Sequence, residues 1–237
     1  MMWIVAMAIA WIVGGIPFGV MIGRLKGIDI REHGSRNVGA TNVGRVLGRR
    51  WGLVCFLLDA LKGAGPVVGA GLWAGTSGRE LLTLSAGESA GWLGVAVAAV
   101  AGHMASPFLR LRGGKGVATA LGALAATWPL MTVPVLLAFV VWGITLAWSR
   151  LVSLASIVAA GSLPFGTAAW WFVGAKLLAP APVAGEIPAT TADIAGRAAP
   201  SLIIATALAV LVIWRHRSNI TRIRAGTESP IGASREA

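Results

Sequence analysis

Long apolar runs alternate with short polar segments along the whole chain, and the runs are too long for strands or for the helices of a small soluble core. The pattern predicts membrane-crossing helices over Trp3–Ile22, about Leu53–Ala74, Ala90–Leu109, Val117–Trp128, Leu130–Trp148, Leu151–Gly174 and Pro200–Trp214. Gly14, Gly15 and Pro17 interrupt the first. It is read as a retained helix, since no small-residue cleavage site follows it. The fourth run is short for a hydrocarbon layer of about 30 Å, so it either tilts or joins the fifth as one broken helix. The expected fold is an all-α integral membrane protein of about seven transmembrane helices, forming a single membrane-embedded domain over 1–237.

The polar segments give the expected orientation. Arg24, Lys26, Arg31, Arg36, Arg45, Arg49 and Arg50 follow the first run; Arg110, Arg112 and Lys115 follow the third; Arg150 follows the fifth; Arg215, Arg217, Arg222 and Arg224 follow the last. The segments after the second, fourth and sixth runs are neutral or weakly acidic. Lys and Arg are retained in the cytoplasm, so the N-terminus is expected outside and the C-terminus in the cytoplasm. Residues 175–199, rich in Pro and Ala, are expected to form an outer loop, and 215–237 a basic cytoplasmic tail. Of the 237 residues 56% are hydrophobic and 12% charged, which excludes a soluble single-core domain. The net charge of +11 is explained by topology rather than by nucleic acid. Cys55 is the single cysteine and lies in an apolar run, so no internal disulfide forms.

Three polar clusters carry candidate chemistry. The first, His33 to Arg45, holds Ser35, Asn37, Gly39, Ala40, Thr41 and Asn42 between glycines, with Arg45 at its end. Short hydroxyl and amide side chains, backbone N–H groups and one guanidinium are what a phosphate ester needs. The second joins His103 to Gly113, Gly114, Lys115 and Gly116 just before a helix, whose free amides favour an anion. It is not a Walker loop, because Gly116 follows the lysine and the upstream glycine spacing is wrong. The third places His216 and Asn219 on one face, with Glu228 downstream. Ser153 follows Arg150 at the start of the sixth run. The plain alternatives are a solvated loop, a flexible basic turn and a lipid-headgroup anchor. All three clusters and Ser153 share the expected cytoplasmic side, which favours one anion site there. Asp59 and Lys62 stand one turn apart inside the second run, either as a structural ion pair or as the floor of that site.

Taken in order, these residues resemble the bacterial membrane acyl-phosphate:glycerol-3-phosphate acyltransferase family, PlsY. The resemblance rests on Gly15-Ile16-Pro17-Phe18-Gly19, Asp29 to Ser35, Asn37 to Asn42, Asp59-Ala60-Leu61-Lys62-Gly63, Gly102-His103, Gly113 to Thr119, Arg150 to Leu154, His216 to Ile220 and Gly226-Thr227-Glu228. The chain departs from the family at Ala105-Ser106-Pro107, where Phe-Pro is usual, and residues 175–199 fall outside the match. The resemblance implies a multi-pass protein of the bacterial cytoplasmic membrane, with its site facing the cytoplasm. It implies acyl transfer from acyl phosphate to the 1-hydroxyl of sn-glycerol 3-phosphate, giving lysophosphatidic acid and phosphate as the first step of phospholipid synthesis. The expected partners are these two substrates and membrane lipid, with no nucleic acid, no cofactor and no metal. There is no His-x-x-x-x-Asp base pair and no acidic cluster for Mg²⁺. Ser35, Arg45, Lys115, His216 and Asn219 are the expected catalytic residues. Asn37, Gly39, Ala40, Thr41, Asn42, Gly113, Gly114, Gly116 and Ser153 are expected to bind substrate, with Asp59, Lys62, His103 and Glu228 in support. A transporter and a non-enzymatic membrane subunit are the competing classes.

Overall fold

The computed structural model describes residues 1–177 and 190–232. Every regular element among them is helical. In chain order these are α1 (Met2–Gly14), α2 (Phe18–Leu25), α3 (Ala40–Leu47), α4 (Arg49–Trp73), α5 (Ala86–Met104), α6 (Val117–Ala125), α7 (Thr132–Ser149), α8 (Val152–Ala169), α9 (Ala175–Leu177), α10 (Thr191–Arg215) and α11 (Arg217–Arg224). A π-helical turn, Trp170–Gly174, joins α8 to α9. Six helical stretches are long and apolar enough to cross a bilayer: Met2–Leu25, Arg49–Trp73, Ala86–Leu109, Thr132–Ser149, Val152–Gly174 and Thr191–Arg215. Their outward faces carry exposed Leu53, Leu57, Leu61, Leu136, Leu137, Ile144, Phe165, Ile203 and Val210, and Trp73, Trp148 and Trp214 sit at helix ends. Apolar side chains turned outward with tryptophans at the rims suit lipid.

Several expected boundaries move, two of them for reasons that capping explains. The last long helix begins at Thr191 rather than Pro200, because Thr190 and Asp193 form a capping box and Pro200 is carried inside the helix. The expected 175–199 loop is therefore partly helical at both ends, and its centre, 178–189, lies outside the described residues. Likewise α5 starts at Ala86, where Ser85 and Glu88 form a second capping box. The expected fourth span is the nine-residue α6, about 14 Å long at 1.5 Å per residue, followed by a non-helical stretch to Thr132.

Glycines let the helices meet backbone to backbone. α1 packs on α5, α4 on α6, α7 on α8, and α8 on α10. A Cβ on Gly122 would lie 2.0 Å from the Ala60 carbonyl oxygen, and one on Gly63 would lie 2.3 Å from that of Thr119. Such contact is how helices associate where lipid removes the hydrophobic drive.

The expected break in the first span is real. Gly15–Pro17 separate α1 from α2, and the carbonyls bared there are taken up from neighbouring elements. Lys62 donates to the Ile16 carbonyl at 2.6 Å, and Ser106 donates to that of Gly15 at 2.6 Å. Lys62 also pairs with Asp59 at 2.7 Å, and both are buried. The Asp59–Lys62 pair therefore holds the broken first span against α4.

Gly122→Leu is expected to lower the thermal unfolding midpoint in detergent, at a cost of about 2 kcal/mol or more from overpacking. Gly69→Leu, whose added Cβ meets nothing within 4 Å, should leave the midpoint in place. Equal midpoints for the two variants would contradict the α4–α6 contact.

Candidate active site

The two ends of the bundle differ in chemistry. At one end Arg197 donates to the Leu84 carbonyl and Trp170 Nε1 to that of Pro129. At the other, the polar clusters converge on one cavity of about 470 Å³. Its mouth is lined by Ser35, Arg36, Asn37, Gly39, Ala40, Thr41, Asn42, Arg45, Lys115, Gly116, Ser153, His216, Asn219, Arg222 and Glu228. Its interior runs between α6, α7, α8 and α10 along Leu121, Leu124, Val135, Ala138, Leu163 and Leu208. A charged mouth over an apolar slot fits a molecule with an anionic head and a hydrocarbon tail.

The first cluster is not a loop throughout. Gly39 caps α3, so Ala40 and Thr41 lie in its first turn and Arg45 one turn later on the same helix. Asn37 Oδ1 accepts from the Gly39 N–H at 3.0 Å and sets that entry. Asn42 is buried, and both of its amide donors are spent on the Ile30 and His33 carbonyls, at 2.9 and 3.2 Å. Its Oδ1 accepts from the Ser35 N–H at 2.8 Å. Asn42 thus builds the Ile30–Ser35 loop rather than offering the free donor expected of it.

Asn219 is the hub of the third cluster. Its Oδ1 accepts from Lys115 Nζ, and its Nδ2 donates to Ser153 Oγ at 2.6 Å and to Glu228 Oε1 at 2.7 Å. Ser153 donates to Glu228 as well, and Arg222 Nε donates to Glu228 Oε2 at 2.7 Å. Burial works to raise the Glu228 pKa, but the bonds from Ser153, Asn219 and Arg222 outweigh it and hold the carboxyl below its ordinary value. Arg222 was not among the expected residues. Its signal was its place on the same face of α11 as Asn219, three positions on.

The second cluster divides. Gly116 lines the cavity and starts α6 at a φ of +81°, whereas Gly113 and Gly114 lie behind the wall. The Gly114 N–H donates to the His103 carbonyl at 3.1 Å, and a Cβ at Gly114 would lie 2.2 Å from His103 Nε2. These two glycines, expected to bind substrate, pack against His103 and are not among the residues lining the cavity. His103 and Asp59 are buried and line the deeper wall, with Nδ1 and Oδ1 3.7 Å apart.

The ionisation states suit anion binding. Burial, joined by the nearby Arg222, Arg45 and Arg215 and opposed by Glu228, lowers the Lys115 pKa to about 8. Burial lowers the His216 pKa to about 4, with Lys115 adding to the effect. His216 is therefore neutral at pH 7. Its Nδ1 lies 2.8 Å from the Val212 carbonyl, which can only accept, so Nδ1 carries the proton and Nε2 keeps a lone pair.

A family model described as glycerol-3-phosphate acyltransferase matches residues 4–226. The chain belongs to the glycerol-3-phosphate acyltransferase family. It is 40% identical over 237 residues to a glycerol-3-phosphate acyltransferase of Thermosynechococcus vestitus, covering 95% of this chain and 93% of that one. Its fold is similar to crystal structures of PlsY, an integral membrane glycerol 3-phosphate acyltransferase. The glycerol 3-phosphate form matches with a TM-score of 0.75 at 36% identity, covering 97% of this chain and 96% of that one. The lysophosphatidic acid form matches with a TM-score of 0.72 at 36% identity, covering 97% and 95%. Membership makes this chain an integral membrane acyltransferase of phospholipid synthesis.

Lys115 loses its cation as pH rises through about 8, so anion affinity is expected to weaken above that pH. The apparent dissociation constant for inorganic phosphate, read by thermal shift, should rise by up to about tenfold per pH unit. Lys115→Arg keeps its charge and should flatten that limb. A wild-type curve flat to pH 9.5 would remove Lys115 from the anion site.

Proposed function

We propose that the protein transfers a fatty acyl group from acyl phosphate to the 1-hydroxyl of sn-glycerol 3-phosphate, releasing phosphate and leaving lysophosphatidic acid in the bilayer. The observation that carries this reading is the cavity itself. Cations and neutral donors crowd its mouth, while its interior is apolar and lies between membrane helices. The slot along Leu121, Leu124, Ala138, Leu163 and Leu208 receives the acyl chain. Arg45 and Lys115 hold the phosphates, with Ser35 and Thr41 as neutral donors. Asn219, Ser153 and Glu228 fix Lys115 in place.

The chemistry asks for little more. Acyl phosphate is a mixed anhydride with a good leaving group, so catalysis consists mainly of aligning two anions and offsetting their repulsion. The hydroxyl oxygen attacks the acyl carbon, the carbon–oxygen bond to phosphorus breaks, and the hydroxyl proton passes through His216 Nε2 to the departing phosphate. Two bound phosphates raise the His216 pKa from its value in the empty cavity, which makes it a better base.

Topology supports a cytoplasmic site. Arg24, Lys26, Arg49, Arg50, Arg110, Arg112, Arg150, Arg217 and Arg224 all belong to the cavity end of the bundle, which by charge is the cytoplasmic side. Gly78 N–H donates to the Trp128 carbonyl and Lys115 donates to Asn219, which supports reading the segment from Lys115 to Trp128 as a further crossing. Counted with it, the crossings number seven, with the N-terminus outside and the C-terminus inside.

Purified protein in lipid should convert acyl phosphate and glycerol 3-phosphate to lysophosphatidic acid and phosphate in equal amounts, and acyl-CoA should not replace the donor. Uptake of labelled glycerol 3-phosphate into vesicles without product would instead identify a transporter. Arg45→Lys keeps the charge but loses the guanidinium fork, and turnover should fall by about 100-fold. His216→Gln should lower kcat by about 100-fold. Retention of most turnover would make His216 a ligand and a substrate phosphate the proton acceptor.

A further inference from the structure

We propose that Arg215 is a positioning residue that aims the Gly113–Gly116 turn, and with it Lys115, at the bound phosphate. The reading rests on the transferase assignment above. Arg215 ends α10 and immediately precedes His216. Its position after a long apolar helix suggests a lipid-headgroup anchor, yet the guanidinium turns inward. Nη2 donates to the Gly114 carbonyl at 2.7 Å and to the Gly113 carbonyl at 3.1 Å. Among the described residues, the backbone bonds outside the helices include none to these two oxygens.

Two carbonyl oxygens beside an anion site are a problem that Arg215 solves. Left unpaired, they would present partial negative charge close to the phosphates and compete for Lys115. Held by a guanidinium, they point away, and the opposite face of the turn is left for the ligand. The other side of the turn has no freedom either. Gly114 donates to the His103 carbonyl, and the His103 ring fills the space where a Gly114 side chain would stand. The turn is therefore gripped from α5 by His103 and from α10 by Arg215, and Lys115 is tied to Asn219 on α11. This grip makes Lys115, His216 and Asn219 one rigid unit.

Arg215 also acts through space. Lys115 is faced by Glu228, Arg222, Arg45 and Arg215, and His216 by Lys115, Glu228 and Arg215. Removing the Arg215 charge takes away one cation that disfavours the charged forms of Lys115 and His216, so both pKa values should rise.

The test compares Arg215→Gln, Arg215→Lys and Gly114→Ala in lipid-reconstituted protein, reading kcat, KM for glycerol 3-phosphate, the pH profile and the thermal unfolding midpoint. Arg215→Gln should raise KM by roughly tenfold or more, the size of one charge-assisted hydrogen bond, and move the alkaline limb to higher pH. Gly114→Ala should raise KM similarly without moving that limb. Arg215→Lys should recover part of the loss, because one ammonium is a point donor and not a fork. Wild-type KM and an unmoved limb in Arg215→Gln would overturn the assignment. If that variant does not fold, Arg215→Lys decides. Raised KM at an unchanged midpoint supports positioning, and wild-type values overturn it. A wild-type protein that makes no product overturns the transferase reading itself, which is a separate result.

Discussion

The structure depends on keeping several cations close together at the rim of a bilayer before any anion has arrived. Arg36, Arg45, Lys115 and Arg222 line one cavity mouth, and Arg215 stands just behind it. Their combined positive charge attracts an anion, and their mutual repulsion has to be offset within the protein. Glu228 is the acid that offsets it at the mouth. It accepts from Ser153 on α8, from Asn219 on α11 and from Arg222 on α11, and so ties the end of the chain back onto the bundle. Ile231 N–H extends that closure by donating to the Arg150 carbonyl at 2.8 Å. The carboxylate and this backbone bond together hold the last described segment over a positive cleft.

The apolar half of the molecule answers a second demand. The apolar slot opens directly into the charged mouth. The short α6 allows this. It is helical for only about 14 Å, and the glycine turn before it places Lys115 and Gly116 on the wall of the cavity. Gly63 and Gly122 press α6 against α4, which fixes the slot's wall at backbone precision. The Asp59–Lys62 pair serves the same end from below. Lys62 seals the break before α2, while Asp59 contributes to the deeper cavity wall.

Much of this was legible in the sequence because membranes simplify the reading. Apolar run length marked the six long helices, the arginines marked the charged end, and the glycine-spaced clusters marked most residues of the mouth. What was not legible depended on contacts between distant segments. Asn42 reads as a ligand group, and only its bonds to Ile30 and His33 reveal a loop-building role. Gly113 and Gly114 read as a phosphate cradle, yet His103, ten residues upstream, occupies that side of them. The start of α10 was missed for a local reason. Pro200 looks like a boundary, and the Thr190–Asp193 capping box outweighs it. The amphipathic α3 was hidden by its own glycines and polar residues, since its helix is stabilised by packing on α4 rather than by propensity.

The hydrogen-bond inventory also separates groups that build the site from groups that act in it. Asn219 uses its acceptor on Lys115 and both donor contacts on Ser153 and Glu228. Ser153 both donates and accepts within that same set. Neither has a donor left to turn toward an anion without breaking a bond in the set that holds Lys115. His216 is different. Its Nδ1 is fixed by the Val212 carbonyl, and its other nitrogen belongs to a ring that lines the cavity. A group held at one end with a lone pair at the other is placed to take a proton or accept a hydrogen bond at one defined point. A hydrogen-bonded frame around a few directed groups is the arrangement that orienting reactants for acyl transfer requires.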